Sequence, residues 1–409
     1  MAKIAVLGYG TVGSGVVEVL ERNADSIKNR AGEPVEVKYV LDLRDFPGDP
    51  IQEKITHDFN DILNDPEVDV VVEVMGGTGA AYTFTKSALE AGKSVCTSNK
   101  ALVAAHGAEL MALAREKNIN YMFEASVGGG IPVIRPINES LTADKILQIT
   151  GIMNGTTNYI LTKMRREGTH YEETLKEAQA LGYAERDPSA DVDGWDACRK
   201  IAILTSLAQG GTVDFNDIQT EGISDITYVD FKYANKLGVT IKLLATSKVV
   251  NDKVYAYTAP FMLESDHPLY NVNGVLNGIY VNGNMVGDTM FFGPGAGKLP
   301  TASAVCGDIV EAVKNKDHNV IVVWEDKKVE LGDNKDLAFK YFVRVKDEEG
   351  EAKKVRDAFG LDVQPIRVQD VEGEFAFVTE EMAESDFVIK SKLVDLIKSI
   401  RFDDTAMVE

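Results

Sequence analysis

The sequence is poor in cysteine, histidine and positive charge, and it contains no long apolar run. Its 409 residues include three cysteines, too few and too far apart for a disulfide framework or a C-x-x-C metal clip, and five histidines without metal-ligand spacing. No segment approaches the ~20 apolar residues that span a bilayer, and the N-terminus has no signal-peptide pattern. Asp and Glu number 64 against 43 Lys and Arg, so the net charge of -21 disfavours nucleic acid as a partner. These absences predict a soluble, cytoplasmic protein with neither membrane nor nucleic-acid partners.

The first third of the chain alternates strand-like and helix-like segments, which is typical of a doubly wound parallel sheet in an α/β protein. The strand-like runs are Ile4–Leu7, Val35–Leu41, Val68–Val74, Ser94–Thr97 and Asn120–Phe123. The near-continuous valines of Val68–Val74 suit a strand that is covered on both faces. Residues 1–132 are therefore predicted to form a Rossmann-type domain, to which a helical stretch at about 301–322 returns.

Two further domains are predicted beyond residue 132. Residues 133–300 combine long helical patterns with strand-like stretches, which predicts an α+β domain. Residues 333–409 follow the order βαββαβ, with a strand at Val363–Val368 and a helix at Ser385–Ile400. That order is typical of a ferredoxin-like fold.

A glycine-rich motif, Gly8-Tyr-Gly-Thr-Val-Gly13, directly follows the first strand-like run. In such a motif Gly8 makes a tight turn, Gly10 lets the backbone approach a pyrophosphate, and Gly13 allows contact between helix and strand. The start of the following helix offers free N–H groups and the positive end of a dipole. The motif predicts dinucleotide binding; the alternative is a glycine turn that only reverses the chain.

An acidic residue is expected at the end of the second strand, where it binds the adenosine ribose. Asp42 fits this position, although a polar loop separates it from Gly13 by more than the usual ~20 residues. Asp42 disfavours a 2′-phosphate, whereas Arg44 could accept one. The choice between NAD and NADP stays open.

Polar residues follow the next strand-like runs, at the edge where ligands bind in such sheets. Ser98 and Lys100 come after the fourth run, and Lys100 is predicted to lie over the cofactor or substrate unless it is a solvated loop lysine. Glu124 ends the next run and precedes the glycines Gly128–Gly130. Glu124 with freed carbonyls suits a hard cation, and a glycine hinge between domains is an equally good interpretation.

The densest charged cluster precedes an almost wholly apolar helix, which is predicted to begin near Asp191 or Asp193. Lys200 lies where this helix enters the core, and it needs carboxylate neighbours because an unpaired buried charge is very costly. The candidates are Glu185, Asp191 and Asp196. A lysine among acids suits proton transfer to or from an oxygen, and the same acids could bind a substrate ammonium group. The alternative is an ordinary helix N-terminus, where acids interact favourably with the dipole.

The glycine-rich segment Gly293–Lys298 does not complete a phosphate loop. Three residues instead of four separate the glycines, and Leu299 replaces the required Ser or Thr. The segment is interpreted as a flexible glycine turn near the cofactor.

Together these motifs resemble those of homoserine dehydrogenases along nearly the whole chain. The resemblance rests on Gly8–Gly13, Asn99–Ala104, Glu124–Pro132, Gly155–Leu161, Leu181–Glu185, Asp187–Asp191 and Gly293–Gly297. It implies the reversible reduction of L-aspartate 4-semialdehyde to L-homoserine with NADH or NADPH, on the route to threonine, methionine and isoleucine. It also implies that a lysine donates the proton.

The resemblance further implies roles for individual residues. Lys200 is expected to be the proton donor and Lys100 to orient the reacting oxygen, while Glu185, Asp191 and Asp196 bind the amino-acid substrate. The residues expected to line the cofactor, besides the strand-end residues, are Tyr9, Thr11 and Val12 within the glycine motif, and Gly182 and Gly297 later in the chain. The expected sodium ligands are Glu124 and the backbone carbonyls of Val127, Gly129 and Ile131.

The C-terminal unit resembles an ACT domain, which in this family commonly senses threonine. Its first loop carries Glu349 and Glu351 where ACT loops usually have a proline and an apolar residue. Leu41 stands where family members often have a basic residue before the strand-end Asp, which weakens the case for NADP unless Arg44 substitutes. A homodimer through the second domain, or a homotetramer, is expected.

Two other functions stay open. Another semialdehyde dehydrogenase, acting through a cysteine thioester, would need Cys96 or Cys198 in its pocket. A non-catalytic nucleotide or amino-acid sensor would bind cofactor without turnover, and would leave an acid-surrounded Lys200 without a purpose.

Overall fold

The computed structural model describes residues 1–360 and 363–403, so residues 404–409 of the predicted C-terminal domain lie outside the described residues. In chain order the strands are β1 (Ala2–Leu7), β2 (Val35–Leu41), β3 (Ile55–Thr56), β4 (Val68–Glu73), β5 (Ser94–Thr97), β6 (Tyr121–Met122), β7 (Ile146–Ile152), β8 (Gly211–Thr212), β9 (Gln219–Thr220), β10 (Thr240–Val250), β11 (Lys253–Leu263), β12 (Leu276–Gly283), β13 (Gly287–Pro294), β14 (Glu325–Lys328), β15 (Ala338–Phe339), β16 (Tyr341–Lys346), β17 (Glu374–Val378), β18 (Met382–Ala383) and β19 (Leu396–Asp403). The helices are α1 (Thr11–Arg22), α2 (Ala24–Ala31), α3 (Phe59–Leu63), α4 (Gly79–Glu90), α5 (Lys100–Glu116), α6 (Gly155–Glu167), α7 (Tyr171–Ala180), α8 (Ser189–Val192), α9 (Trp195–Gln209), α10 (Tyr228–Leu237), α11 (Lys298–Lys314), α12 (Glu351–Phe359) and α13 (Glu384–Ser391). Within these described ranges, no helix has the length and apolar character needed to cross a membrane.

The chain divides into two compact units. The first comprises Met1–Ile146, Ala202–Phe215 and Phe291–Val329, and the second comprises Leu147–Ile201, Asn216–Met290 and Glu330–Glu409.

The first unit is built on a parallel sheet in the order β3-β2-β1-β4-β5-β6. Parallel neighbours need crossover connections, which the helices between these strands provide. The valines of β4 are buried, and Val72 shares a core with Val6 of β1 and Ile309 of α11. This is the strand order of a dinucleotide-binding sheet, so the predicted Rossmann-type fold is confirmed.

The second unit contains a mixed sheet, in the order β13-β12-β7-β10-β11-β19-β16-β17 with β9 beside β11. Its centre is the long antiparallel hairpin of β10 and β11, in which Thr240 opposes Leu263 at one end and Val250 opposes Lys253 at the other. Helices α6 and α10 pack on this sheet through buried apolar side chains such as Ile160.

The C-terminal strands of this sheet are β19, β16 and β17, which are antiparallel neighbours. Beyond β17 a single bridge joins Ile366 to Ala376, so the predicted strand Val363–Val368 is reduced to that bridge. With α12 and α13, the segment has the order βαββαβ with a minimal second strand. Because β19 also pairs in parallel with β11, this segment continues the sheet of the second unit. An ACT domain stays a prediction.

The predicted helix Ser385–Ile400 is wrong in its second half. Helix α13 ends at Ser391, and Leu396–Asp403 forms β19. Apolar residues in this stretch recur at a spacing that also suits a helix. Pairing with β16 on one side and β11 on the other buries Ile400 and Phe402, and this tertiary contact decides the structure.

A fully buried lysine lies near the start of β10. The Nζ of Lys242 donates hydrogen bonds to Asn158 Oδ1 at 2.9 Å, Val272 O at 2.6 Å and Asn273 Oδ1 at 3.0 Å. Lys242 is 1% exposed. Its burial lowers its pKa to about 7, and the positive charges of Arg165 and Arg166 act in the same direction.

This burial predicts a pH-dependent stability that Lys242→Met removes. Between pH 7 and 10 the unfolded chain holds a proton on this lysine that the folded chain has released, so the free energy of unfolding should rise with pH. Relative to Lys242→Met, the rise is at most about 1.4 kcal/mol per pH unit. Urea unfolding at several pH values measures it, with Lys248→Met on the same strand as control. Parallel curves for wild type and Lys242→Met would show that the three acceptors keep the lysine charged.

Candidate active site

The glycine turn of the first unit follows β1 and opens α1. Gly8 has a φ of +100°, which favours glycine. A Cβ on Gly13 would lie 1.9 Å from the carbonyl oxygen of Gly8, whereas a Cβ on Gly10 would meet no atom within 4 Å. The turn is therefore tightly packed between Gly8 and Gly13, whereas space for a ligand is left beside Gly10. Thr11 and Val12 begin α1, whose first N–H groups lack helical acceptors and suit an anion.

Asp42 lies at the end of β2 and joins the glycine turn to Arg44. The backbone N–H of Tyr9 donates to Asp42 Oδ2 at 2.8 Å, and Nε of Arg44 donates to Asp42 Oδ1 at 2.9 Å. Arg44 also donates from Nη2 to the carbonyl of Tyr9 at 3.2 Å. The guanidinium beside Asp42 holds the pKa of that carboxyl well below its usual range. The carboxylate of Asp42, which can accept a ribose hydroxyl, and the exposed guanidinium of Arg44, which can bind a phosphate, are therefore neighbours.

Ser98 and Lys100 lie at the same carboxyl edge of the sheet, after β5. The N–H of Ser98 donates to the carbonyl of Glu73 at 3.3 Å. Lys100 is the first residue of α5, and Asn99 caps that helix by accepting a hydrogen bond from Leu102 N at 3.1 Å. The cap that precedes Lys100 therefore fixes the backbone position of this residue.

The loop that follows β6 is held by the buried carboxylate of Glu124. Its two oxygens accept the backbone N–H groups of Val133, Ile134 and Arg135 at 2.6, 2.8 and 2.7 Å. The side chain thus caps the helical segment that starts there.

The glycines of this loop pack against the segment Gly293–Gly297. A Cβ on Gly129, whose φ is +56°, would lie 2.2 Å from Gly295 O. The N–H of Gly130 donates to Pro294 O at 3.1 Å. Gly297, with a φ of +124°, precedes α11. These contacts hold both loops together. Gly293–Lys298 is therefore a closely packed backbone segment, in contrast to the flexible turn predicted from the sequence.

The second unit contains Lys200 on α9, one turn after Asp196. Lys200 Nζ donates to Asp196 Oδ2 at 2.7 Å and to the carbonyl of Met153 at 2.7 Å. Lys200 is 8% exposed and Asp196 is 3% exposed, so a charged pair is buried at this point. Such a pair is stable only with further hydrogen bonds to its carboxylate.

Asn154 supplies those hydrogen bonds. Its Nδ2 donates to Asp191 Oδ1 at 2.7 Å and to Asp196 Oδ2 at 2.9 Å, and its Oδ1 caps α6 by accepting the N–H of Thr157 at 2.9 Å. We call Lys200, Asp196, Asp191 and Asn154 the Lys200 cluster. Asn154 was not among the predicted site residues; the available signal was its place directly before a helix, where an Asn commonly caps.

The other predicted residues of this region lie outside the Lys200 cluster. Asp193 falls in the turn between α8 and α9, and α9 begins at Trp195, slightly after the predicted helix start near Asp191 or Asp193. Glu185 is exposed, and in the described residues its carboxylate makes no hydrogen bond or ion pair with Lys200. Gly182 follows α7 with a φ of +75°.

Comparison with known proteins shows the family of the chain. Residues 8–124 match the family model described as homoserine dehydrogenase, NAD binding domain, and residues 132–310 match the model described as homoserine dehydrogenase. The homoserine dehydrogenase of Bacillus subtilis is 41% identical, covering 94% of this chain and 93% of its own, and that of Corynebacterium glutamicum is 40% identical, covering 97% and 92%.

Solved structures give the same result. A homoserine dehydrogenase from Thiobacillus denitrificans superposes with a TM-score of 0.90 at 33% identity, covering 99% of both chains. A hyperthermophilic archaeal homoserine dehydrogenase in complex with NADPH superposes with a TM-score of 0.64 at 30% identity, covering 76% of this chain and 97% of that one. The chain belongs to the homoserine dehydrogenase family.

Proposed function

We propose that this chain catalyses the reversible reduction of L-aspartate 4-semialdehyde to L-homoserine with NAD(P)H. The observation that carries the proposal is the buried Lys200–Asp196 pair, held by Asn154, in a chain that also has a dinucleotide-binding sheet. The chain is an NAD(P)-dependent oxidoreductase of this family.

The chemistry divides between cofactor and protein. When bound, the nicotinamide supplies or accepts the hydride at the carbonyl carbon. Lys200 holds a proton on Nζ and delivers it to the alkoxide oxygen as negative charge develops there. Lys100 orients the same oxygen. Asp196 keeps Lys200 charged before transfer, and the carboxylates of Asp191, Asp196 and Glu185 bind the substrate ammonium group.

A sodium ion at the loop after Glu124 is part of the proposal. The ligands are the carbonyls of Val127, Gly129 and Ile131, with Glu124 contributing through its backbone carbonyl because its carboxylate already accepts three N–H groups. The loop carbonyls fit a hard cation, since these residues are buried and no hydrogen bond from the described residues reaches their three oxygens. The ion would fix the loop without taking part in proton transfer.

The proposal extends to partners. Exposed apolar side chains at Met285, Val286 and Met290, on the β12–β13 hairpin, favour a homodimer or homotetramer that covers them. Threonine remains the proposed effector of the C-terminal segment.

A cysteine thioester mechanism is disfavoured. Cys96 and Cys198 are both 0% exposed, and burial raises the pKa of the Cys96 thiol well above its usual value. The thiolate is the nucleophile of a cysteine, and burial in apolar surroundings disfavours that charged form.

The direct test is oxidation of L-homoserine at pH 9, with NAD and NADP in parallel and absorbance of the reduced nicotinamide as readout. We expect turnover with homoserine and far less with L-serine, which is shorter by one methylene. Cofactor binding without turnover would contradict the proposal and favour the non-catalytic sensor.

Arg44→Ala should shift cofactor preference towards NAD. Without the guanidinium, the carboxylate of Asp42 faces the 2′-phosphate of NADP unneutralised, whereas the ribose hydroxyls of NAD still find their acceptor. We expect kcat/KM to fall about tenfold with NADP and little with NAD, as loss of one charge-assisted contact implies. Arg22→Ala, on the exposed face of α1, is the control. An equal loss with both cofactors would show that Arg44 acts only on the fold of the loop.

A further inference from the structure

A buried carboxylate, that of Glu73, ends β4. It lies at the carboxyl edge of the parallel sheet, where the glycine turn and Lys100 also lie. Glu73 is 0% exposed and opposes Leu7 of β1 on one side and Thr97 of β5 on the other. The three preceding positions of the strand are valines, and a valine here would avoid the cost of burying a carboxylate. The acid therefore needs a specific reason to be present.

Glu73 accepts hydrogen bonds from β5 and from the loop that follows β4. Its Oε2 accepts the hydroxyl of Thr97 at 2.6 Å, and its Oε1 accepts the N–H of Met75 at 2.8 Å. Burial raises the pKa of Glu73, while bonds from Thr97, Met75 and Asn99 oppose the rise. The carboxylate thus joins the end of β5 to the loop that follows β4.

Thr97 connects Glu73 to the start of α5 through hydrogen bonds. Because its hydroxyl donates to Glu73, its oxygen is oriented to accept the N–H of Asn99 at 2.9 Å. Asn99 in turn caps α5 through Leu102 N and donates from Nδ2 to Gly77 O at 2.6 Å. We call Glu73, Thr97 and Asn99 the Glu73 network.

The network also reaches the glycine turn. A Cβ on Gly8 would lie 3.3 Å from Met75 Cγ and 3.4 Å from Val74 O, so the backbone directly after Glu73 borders that turn. The bond from Met75 N to Glu73 Oε1 fixes the path of this backbone. One carboxylate therefore links the glycine turn, the β4 loop and the residue before Lys100.

We infer that Glu73 is a positioning residue for the reaction: through Thr97 and Asn99 it sets the first turn of α5 and places Lys100 at the reacting oxygen. The inference rests on the proposed function, since Lys100 has this role only there. Glu73 transfers no proton and touches no substrate. A displacement of about 1 Å in a catalytic group can lower a rate by 10²-fold, so loss of the network should reduce kcat by about 10- to 100-fold.

The first test compares Thr97→Val with Thr97→Ser. Both fit a fully buried site of this size, but only serine keeps the hydroxyl that joins Glu73 to Asn99. We expect Thr97→Val to lower kcat by the stated amount with little change in the KM of the cofactor, and Thr97→Ser to restore most of it. Equal activity of the two variants would overturn the inference.

The second test is a mutant cycle with Lys100. Glu73→Gln keeps the shape but cannot accept both hydrogen bonds, so it should lower kcat in the wild-type background. In a Lys100→Ala background it should lower kcat no further, because the residue through which Glu73 acts is gone. Multiplicative losses would mean a general structural role and overturn the inference.

The outcome for wild type separates this inference from the proposed function. If the wild-type chain does not oxidise homoserine, the proposed function fails. If it does, and the cycle is multiplicative, only the role of Glu73 fails. Thermal melts of each variant show whether it folds. If Glu73→Gln does not fold, the comparison of Thr97→Val with Thr97→Ser tests the role of Glu73 instead.

Discussion

Lys200→Met should reduce homoserine oxidation by about 10²- to 10⁴-fold, the range that a positioned acid–base group contributes. Lys200 is the buried cation of its cluster, and Asp196 together with the carbonyl of Met153 holds its ammonium group at 2.7 Å from each. Methionine keeps most of the length of the lysine side chain but has no ionisable group that could donate or accept the proton. Steady-state assays in both directions measure the loss, and cofactor binding should be retained.

The pH profile distinguishes proton transfer from simple packing. Oxidation needs a neutral lysine to take the proton of the hydroxyl, so the wild-type rate should rise with pH, and the residual rate of Lys200→Met should lose that rise. A flat wild-type profile between pH 6 and 10 would count against Lys200 as the base.

Two further variants control for stability. Removing the lysine leaves Asp196 buried without its cation, which can destabilise the fold by about 3–5 kcal/mol. Asp196→Asn combined with Lys200→Met removes both charges and should fold better while staying inactive. Lys163→Met removes an ion-paired lysine of the same unit, paired with Glu177, and should remain active. Full activity in the double variant would exclude the Lys200 cluster as the catalytic site.

The sequence predicted those features whose cause is local. The near-continuous valines of β4 are typical of a strand covered on both faces, and the apolar run after Lys200 predicts that this lysine enters the core beside an acid. Asp196 and Lys200 are one helical turn apart, so their contact follows from helix geometry alone. The glycine motif was likewise readable, because its spacing encodes the turn.

The sequence did not predict contacts between distant segments. Asn154 meets Asp196 across 42 positions, and Glu73 meets Thr97 across 24, and neither pair shares a periodic pattern. The strand β19 was missed for the same reason, since its partners β11 and β16 decide its conformation and its local pattern does not. Such features depend on which distant segments pack together, and no local pattern in a single sequence specifies this.

Gly13→Ala and Gly10→Ala should separate the two functions of the glycine turn. A methyl group on Gly13 would overlap the carbonyl oxygen of Gly8 at 1.9 Å, so the turn must open; we expect a loss of about 1–3 kcal/mol in stability and no measurable cofactor binding. A methyl group on Gly10 meets no protein atom within 4 Å, and its φ of −86° suits alanine, so the apo protein should melt as wild type does.

For Gly10→Ala the loss should appear only with cofactor present. The methyl group occupies the open side of the turn, where a pyrophosphate approaches the N-terminus of α1, so the Kd for NADPH should rise at least about tenfold. Thermal melts with and without NADPH measure both effects, and Gly307→Ala on α11, with its nearest contact at 3.5 Å, is the control. If Gly10→Ala binds NADPH as tightly as wild type, the pyrophosphate does not lie at this turn. If Gly13→Ala melts and binds as wild type does, the contact between Gly8 and Gly13 does not hold the turn, and the physical reason given for the motif fails.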